Sequence, residues 1–276
     1  AWKECRVSAL REDRAFLARR LSGGGAVYHD LGNLNFTFLA KSADYDQRRQ
    51  FEVILEACRA LGIPAALSGR NDLLAQDKKF SGSAFFTHQG RSFHHGTLLL
   101  DVDTEDMVRY LSPDQQKLQS KGVNSVRARV INLKELCPAL TVSDMETALL
   151  ETFQTQYGLL SEPVDLARVQ DARWEELSAR NGSREWNLGQ RIPATWSSTR
   201  RFAWGRVDLE LVVTAGTVRQ ARVWTDSLDT GLSQALETAL TGRWFQSGEM
   251  AEAIRTLPWP EAVREDLSSF ISEMEN

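Results

Sequence analysis

Alternating apolar and polar residues predict that the first part of the chain forms β-sheet. The strand-like segments are residues 25–30, 34–40, 65–67, 72–75, 80–87 and 92–102. Turn-forming residues at 30–33 join the first two segments, and a connection at 88–91 joins the last two. The pattern therefore predicts two hairpins.

Apolar residues at helical spacing interrupt these strands. Helical patterns cover residues 44–61, 104–111 and 143–157, and polar segments without a clear period cover 10–20 and 115–129. Gly62 and Pro64 end the first helix. Ser143 and Glu146 form the pattern of a capping box that opens the last helix. Residues 10–20 are expected to form a short polar helix or loop, and residues 115–129 a mobile loop.

The pattern changes again after Pro193. Residues 158–189 have weak periodicity and several charges, and we expect them to form a connection that wraps the first domain. Strands are predicted at 206–213 and 218–224, and helices at 232–240, 250–257 and 262–274. We predict a domain at 1–192 and a small α+β domain at 193–276. The predicted fold class is α/β (α+β), with a mixed sheet flanked by helices.

Composition restricts the possible functions. Hydrophobic residues make up 42% of the chain and charged residues 25%, as in ordinary globular proteins. A net charge of −4 argues against a strongly basic nucleic-acid binder. The three cysteines, Cys5, Cys58 and Cys137, are too scattered for a disulfide framework, and no apolar run is long enough to span a bilayer. We therefore expect a cytoplasmic protein whose partners are neither nucleic acid nor membrane. The sequence lacks an initiator Met, so we expect the natural chain to begin upstream.

The glycine-rich stretch at residues 19–30 is the first candidate for chemistry. Three consecutive glycines, Gly23, Gly24 and Gly25, allow several backbone N–H groups to converge on an anion. Arg20 adds a planar, permanently charged group suited to phosphate or carboxylate. The alternative is a tight turn with exposed arginines.

A second candidate lies in the predicted strand at 80–87. Strict alternation puts Lys79, Ser81 and Ser83 on one face, with Phe80, Gly82 and Ala84 on the other. One ammonium group and two hydroxyls would then point into a common volume. The alternative is an edge strand with solvated lysines.

The adjacent histidines His94 and His95 are the third candidate. Neighbouring strand residues point to opposite faces, and the chain has only two other histidines and no cysteine pair at zinc spacing. A structural zinc site is therefore disfavoured, and one histidine is expected to orient a ligand or pack in the core. Cys58 is expected in the core, and Cys137 lacks a neighbouring base that would support a nucleophile.

Four ordered motifs together resemble the lipoate-protein ligase A family of the lipoyl/biotinyl protein ligase superfamily. They are Arg19-Arg20-x-Ser22-Gly23-Gly24-Gly25-x-Val27-Tyr28-His29-Asp30-x-Gly32-Asn33, Gly69-Arg70-Asn71-Asp72, Lys79-x-Ser81-Gly82-Ser83-Ala84 and His94-His95-Gly96-Thr97-Leu98-Leu99. The resemblance extends to Trp2-Lys3-Glu4-Cys5 and to the small C-terminal domain.

The resemblance implies a two-step reaction. ATP and (R)-lipoate form lipoyl-AMP and pyrophosphate, and a lysine of a lipoyl domain then takes the lipoyl group and releases AMP. The implied acceptors are the E2 subunits of 2-oxoacid dehydrogenases and the H protein of glycine cleavage, and the enzyme is expected to act as a monomer. We also expect the C-terminal domain to rotate once the adenylate has formed, because the acceptor lysine needs access.

The resemblance also assigns residues. Lys79 is the expected catalytic residue, an electrostatic anchor between the substrate carboxylate and the α-phosphate. The expected lipoate and adenylate contacts are Arg20, Ser22, Gly23, Gly24, Gly25, Tyr28, His29, Asn33, Asn71, Asp72, Ser81, Gly82, Ala84 and His95. Mg²⁺ is expected to bind mainly through phosphate oxygens, with Asp72 as the one side-chain candidate.

Two departures from the family and several alternatives accompany this interpretation. The family's initial strand, helix and strand are missing before Trp2, and Phe86 stands where some relatives carry an arginine that helps to hold the nucleotide. The nearest alternative is a lipoyl or octanoyl transferase that uses a preformed adenylate or carrier-bound acyl group without ATP. A biotin ligase and a catalytically silent acyl binder are further alternatives.

Overall fold

The computed structural model describes residues 4–69, 71–112, 129–158, 162–168, 170–189 and 192–273. The chain divides into two compact units, Ala1–Arg19 with Ala26–Leu188 and Arg20–Gly25 with Gly189–Asn276. Each unit combines antiparallel sheet with helices, which confirms the predicted fold class. The short segment that contains the three glycines thus belongs to the second unit, whereas the predicted division at residue 193 puts it in the first domain.

The first unit contains the longer sheet. Its described strands are β1 Asn33–Lys41, β2 Ala65–Ser68, β3 Asp72–Ala75, β4 Lys78–His88 and β5 Arg91–Leu99. Its described α-helices are α1 Val7–Glu12, α2 Gln47–Ala60, α3 Thr104–Tyr110, α4 Val142–Tyr157, α5 Ala172–Gly182 and α6 Arg184–Leu188. The spatial order is β1-β5-β4-β3-β2, with antiparallel neighbours throughout. Among the predicted loop residues 115–129, only Arg129 lies within the described residues.

One face of this sheet forms the main core. Phe36 on β1, Phe80 on β4 and Leu98 on β5 are buried together with apolar residues of α2 and α4. In α2, Phe51, Ile54, Leu55 and Cys58 lie at helical spacing and face this core, as the sequence predicts. The opposite face of the sheet is therefore the one that remains available for chemistry.

Residues 25–30 do not form the predicted strand. Their polar groups form hydrogen bonds outside any pairing of β-strands. Ala26 N–H donates to the Glu4 carboxylate at 2.7 Å. The Asp30 carboxylate accepts from the N–H groups of Gly32 and Asp103, both at 2.8 Å. The hairpin prediction is wrong, and β1 pairs with β5.

The capping box of α4 begins at Thr141, two residues before the predicted Ser143. The Thr141 hydroxyl accepts from Asp144 N–H at 3.1 Å, and the Asp144 carboxylate accepts from Thr141 N–H at 2.9 Å. The Thr141 hydroxyl also donates to the Asp144 carboxylate at 2.6 Å, and this bond, together with the one from Thr141 N–H, lowers the pKa of Asp144. Thr141 and Asp144 satisfy the same spacing rule as Ser143 and Glu146, so the spacing alone could not select between them.

The second unit is a three-stranded antiparallel sheet with helices. Its strands are β6 Trp196–Phe202, β7 Gly205–Thr214 and β8 Thr217–Thr225, and its described helices are α7 Leu232–Leu240, α8 Ser247–Arg255 and α9 Glu261–Ser272. Leu211 of β7, Leu240 of α7 and Ile254 of α8 are fully buried in its own core. Strand β6 was not predicted, because its polar residues give weak alternation. No helix in the described part of the chain has the length and apolar character needed to cross a membrane.

Candidate active site

A β-bulge sets the direction of the Lys79 side chain. On β3, Leu73 and Leu74 are adjacent, but their partners on β4 are Ser81 and Lys79, so Phe80 is an extra residue. The extra residue shifts the alternation by one position. Lys79 therefore shares a face with Gly82, not with Ser81 and Ser83 as strict alternation predicts.

Ser81 and Ser83 lie on the core side of the sheet. Ser81 is 1% exposed and Ser83 is 4% exposed. Their hydroxyl oxygens are buried without a hydrogen-bond partner among the described residues. Ser81 pairs with Leu73 and Leu98, both fully buried core residues. The prediction that one ammonium group and two hydroxyls point into a common volume is wrong, and the bulge at Phe80 is the reason.

Lys79, Asp72 and Gly82 form a compact group on the open face. The Lys79 Nζ lies 2.6 Å from the Asp72 carboxylate, and Asp72 pairs directly with Gly82 across the sheet. A Cβ on Gly82 would lie 2.7 Å from Lys79 Nζ, so the lysine side chain occupies the space above the glycine. The group thus presents an ammonium ion that is held beside a carboxylate and is still accessible, since the lysine side chain is 32% exposed.

Rows of side chains cross the same face. Directly paired residues share a face, so the strand register gives rows of Asn35, Thr97, Gly82 and Asp72, then Thr37, His95 and Ala84, then Leu39, Phe93 and Phe86. Neighbouring rows are about 7 Å apart, the rise of two residues. The face therefore changes from polar and charged at Lys79 to apolar two rows away. Asn35, Thr37 and Thr97 were not singled out from the sequence, because only the register reveals that they share this face.

The two adjacent histidines point to opposite faces, as the sequence predicts. His95 lies in the row with Thr37 and Ala84, on the side of Lys79. His94 is fully buried, and its Nδ1 lies 3.2 Å from the Gln50 side-chain oxygen. Burial lowers the pKa of His94 to about 3, with a smaller contribution from His95. His94 is therefore a neutral core residue.

Arg20 is hydrogen-bonded within its own loop, residues 20–25, which belongs to the second unit and is called the glycine-rich loop below. Its Nη2 donates to the carbonyl oxygens of Gly23 at 2.6 Å and Gly25 at 2.9 Å, and its Nε donates to the Ser22 hydroxyl at 3.1 Å. The guanidinium group therefore shapes the loop through these contacts. The sequence suggested a phosphate-binding arm, whereas the geometry shows a group that fixes the conformation of the loop.

The Asn33 side chain contacts two residues that follow the glycines, Tyr28 and His29. The Asn33 amide nitrogen donates to the Tyr28 carbonyl at 2.9 Å and lies 3.3 Å from His29 Nδ1. Its amide oxygen is buried and has no hydrogen-bond partner among the described residues. The Tyr28 ring stacks on Tyr110, and burial, with the nearby acidic residues, raises the pKa of Tyr28 to about 12. Tyr28 thus remains a neutral phenol that can donate a hydrogen bond.

Asn71 extends the pairing between β3 and β4. Its amide nitrogen donates to the Ser83 carbonyl at 2.8 Å, and its own carbonyl accepts from Ser83 N–H at 2.8 Å. This places Asn71 one residue from Asp72, next to the Lys79 group. The contacts to Ser83 give Asn71 a role in holding this end of the sheet.

Two sets of hydrogen bonds that hold the ends of the glycine-rich stretch were not expected from the sequence. Glu4 accepts from Ala26 N–H at 2.7 Å. On α6, the Asn187 side chain accepts from Arg19 N–H at 2.7 Å, and Trp186 Nε1 donates to the Arg19 carbonyl at 2.7 Å. The motif Trp2-Lys3-Glu4-Cys5 was the available signal for Glu4, whereas the weakly periodic region around Trp186 gave none.

The described residues contain no group of three or more His, Cys, Asp and Glu side chains that could hold a metal ion. Asp72 is the carboxylate beside Lys79. A single carboxylate fits Mg²⁺ that takes most of its ligands from phosphates and water, since this ion commonly uses only one or two protein carboxylates.

Family comparisons cover most of the chain. Residues 1–154 match the sequence model of a family described as the lipoyl protein ligase A/B catalytic domain. Residues 193–271 match a second family, described as the bacterial lipoate protein ligase C-terminus. The first match contains the glycine-rich stretch, the Lys79 group and the adjacent histidines.

Solved structures give a consistent result. The crystal structure of LipL1 from P. falciparum in complex with lipoate matches with a TM-score of 0.85 and 26% identity, covering 99% of this chain and 81% of that chain. A bipartite lipoate protein ligase from Thermoplasma acidophilum, described with its E2 lipoyl domain, has a TM-score of 0.61 and 27% identity, covering 71% and 79%. A lipoate-protein ligase A bound with ATP has a TM-score of 0.59 and 27% identity, covering 68% and 78%.

Proposed function

Because this chain belongs to the lipoate-protein ligase family and is a ligase, we propose that it activates (R)-lipoate with ATP and transfers the lipoyl group to a protein lysine. In the first step the lipoate carboxylate attacks the α-phosphorus of ATP, and pyrophosphate leaves. In the second step the acceptor amine attacks the acyl carbon of lipoyl-AMP, AMP leaves, and the amine loses a proton. The ATP-bound and lipoate-bound relatives support both substrates.

The position of Lys79 is the observation that supports this proposal most directly. Both steps develop negative charge, first on the phosphoryl oxygens and then on the oxygen of a tetrahedral intermediate, so a fixed cation is the most useful group. Lys79 is partly exposed on an open face, and Asp72 and the absence of a side chain at Gly82 fix its position. An incoming carboxylate or phosphate would share this ammonium group with Asp72.

The other proposed contacts are residues of the glycine-rich loop and residues of the first unit. Ser22, Gly23 and Gly25 offer backbone N–H groups to the acyl adenylate, while Gly24 shapes the loop through its own N–H bond to Ser227, with Arg20 fixing the loop conformation. On the first unit, Tyr28, His29, Asn33, Asn71, Gly82, Ala84 and His95 are proposed to line or support the substrate site. Ser81 supports the sheet from the core side. Mg²⁺ would be held by Asp72 and phosphate oxygens and would screen the charge of the triphosphate.

The alternative without ATP, a lipoyl or octanoyl transferase, gains no support from two of the three cysteines, Cys5 and Cys58. Octanoyl forms of such transferases rely on a cysteine nucleophile or on a lysine and cysteine pair. Cys58 is fully buried, and burial raises its pKa to about 12. Burial also raises the pKa of Cys5. A buried thiol with a raised pKa is a poor nucleophile at neutral pH.

The acceptor is proposed to be a lipoyl domain of a 2-oxoacid dehydrogenase E2 subunit or the H protein of glycine cleavage. Support for the first comes from the T. acidophilum relative, described with its E2 lipoyl domain. The C-terminal unit is proposed to rotate between the two steps, so that the acceptor lysine can reach the adenylate.

Pyrophosphate release tests the proposal directly. The purified chain is incubated with ATP and Mg²⁺, with and without lipoate, in the absence of any acceptor protein. A ligase releases pyrophosphate only when both ATP and lipoate are present. A transferase that needs no ATP, or a silent acyl binder, releases none, and that result would refute the proposed reaction.

A further inference from the structure

A turn in the C-terminal unit is built from successive side-chain-to-backbone hydrogen bonds. We call residues 225–231 the 225–231 turn. The Thr225 hydroxyl accepts from Ser227 N–H at 3.0 Å, and the Ser227 hydroxyl accepts from Asp229 N–H at 3.1 Å. Asp229 continues the series by accepting from Gly231 N–H at 2.9 Å and from Trp259 Nε1 at 2.9 Å. Every second side chain thus fixes the backbone two residues ahead.

The same turn is anchored to the sheet of its unit. Asp226 accepts from Arg206 N–H at 2.6 Å and pairs with the Arg201 guanidinium at 3.2 Å. The Asp226 and Arg201 side chains are only 9% and 17% exposed. Gly205 packs closely against the Ser227 backbone, where a Cβ would lie 3.1 Å away. These contacts leave the Ser227 carbonyl in a defined position.

The glycine-rich loop rests on this carbonyl. Gly24 N–H donates to the Ser227 carbonyl oxygen at 3.3 Å. A Cβ on Gly23 would lie 2.1 Å from the same oxygen and 2.8 Å from the Leu228 Cα, so only glycine allows this approach. Gly24 has a φ of +89°, a conformation that also favours glycine. Two of the three glycines are therefore explained by the 225–231 turn and the loop's own backbone, before any ligand is considered.

We propose that the 225–231 turn is a positioning element for acyl activation, which holds the glycine-rich loop in the conformation that binds lipoate and its adenylate. The inference rests on the proposed function, because it takes the loop to be part of the lipoate site. It assigns to the C-terminal unit a direct part in the first step. Thr225 and Ser227 act through the loop and touch no substrate themselves.

The Thr225 hydroxyl offers a matched set of variants. Thr225→Val keeps the side-chain shape and removes the acceptor for Ser227 N–H, whereas Thr225→Ser keeps the acceptor. Thr238→Val is the control, since Thr238 is an exposed residue of α7 in the same unit. Removing one hydrogen bond of ordinary strength corresponds to about a fivefold change in an equilibrium.

Two measurements are made on the full chain. Hydrogen exchange followed by mass spectrometry reports the protection of residues 20–26, and lipoate-dependent pyrophosphate release gives KM and kcat for lipoate. We expect faster exchange of residues 20–26 in Thr225→Val and about a fivefold higher lipoate KM, because a smaller fraction of molecules has the loop in the binding conformation. We expect kcat to change less, and Thr225→Ser and Thr238→Val to match the wild type.

The outcomes separate this inference from the proposed function. Unchanged exchange of residues 20–26 in Thr225→Val would show that the turn does not hold the loop, whatever the activity. Faster exchange with an unchanged lipoate KM would show that the loop is held by the turn but does not contribute to the lipoate site. Both results overturn the inference and leave a working wild-type ligase intact. A wild type that releases no pyrophosphate refutes the proposed function, and the inference about lipoate then falls with it.

Discussion

Lys79 lies across Gly82, three residues further along the same strand. A Cβ built on Gly82 would lie 2.7 Å from Lys79 Nζ and 2.9 Å from its Cε. The contact exists because the bulge at Phe80 turns Lys79 to the open face of the sheet. The position of the ammonium group thus depends on the absence of a side chain at Gly82.

Replacing Gly82 by alanine should displace the lysine without unfolding the protein. The new methyl group meets only the flexible end of Lys79, so the side chain moves away and the backbone stays in place. We expect lipoate-dependent pyrophosphate release to fall about ten- to a hundredfold, since small misplacements of a catalytic group cost rates of this order. Gly248→Ala is the control, because nothing lies within 4 Å of a Cβ there. Equal activity in the two variants would contradict the assigned role of the contact.

Asp72→Asn should weaken catalysis more than stability. The change removes the charge that holds Lys79 at 2.6 Å and the proposed carboxylate ligand of Mg²⁺. We expect adenylate formation to fall about tenfold and the Mg²⁺ concentration for half-maximal rate to rise, with little change in the unfolding free energy of this partly exposed pair. Asp101→Asn, which removes the exposed partner of Lys134, is the matched control. A normal Mg²⁺ dependence in Asp72→Asn would exclude its carboxylate as a ligand.

Arg20→Lys separates the shape of the side chain from its charge. A lysine keeps the positive charge but cannot reproduce the donors to Ser22, Gly23 and Gly25 together. We expect kcat/KM for lipoate to fall about tenfold in Arg20→Lys, nearly as far as in Arg20→Ala. Substantial retention of activity in Arg20→Lys alone would show that the charge of Arg20 matters and its loop contacts do not.

His94 should make the protein sensitive to acid. Its pKa is about 3 in the folded protein and near 6.5 when exposed, so the unfolded chain binds a proton that the folded chain does not. This histidine therefore does not reduce the free energy of unfolding above pH 6.5. As the pH falls below 6.5 it reduces the free energy of unfolding progressively, and the reduction levels off near pH 3. Between pH 7.5 and 5.5 the expected loss is about 1.4 kcal/mol. Urea unfolding at both pH values should show a smaller loss in His94→Gln, and equal losses would contradict this account.

Much of the fold could be predicted from the sequence, because the main signals are local. The spacing of Phe51, Ile54, Leu55 and Cys58 specifies α2 and its buried face. The residues that turn the chain at 88–91 specify the β4–β5 hairpin. Residues 25–30 failed as a strand prediction, because their backbone groups bond to side chains instead of a neighbouring strand: Ala26 N–H donates to Glu4, and the Tyr28 carbonyl accepts from Asn33.

The candidate site was predictable in its residue types and less so in its geometry. The ordered motifs identified Lys79, Gly82 and His95, which the structure brings to one face. Strict alternation put Ser81 on the same face as Lys79, and this was wrong because a single extra residue reverses the alternation. A bulge depends on the register of two strands, which no residue pattern within one strand specifies.

The central claim is that Lys79 supports ATP-dependent transfer of lipoate to protein, and mass spectrometry of an acceptor tests it most directly. A purified E2 lipoyl domain is incubated with lipoate, ATP, Mg²⁺ and the wild type, Lys79→Ala or the matched control Lys134→Ala. The wild type and Lys134→Ala should add one lipoyl group to a single lysine, only when ATP is present, and folded Lys79→Ala should add none. Modification by Lys79→Ala at the wild-type rate, or modification without ATP, would contradict the claim.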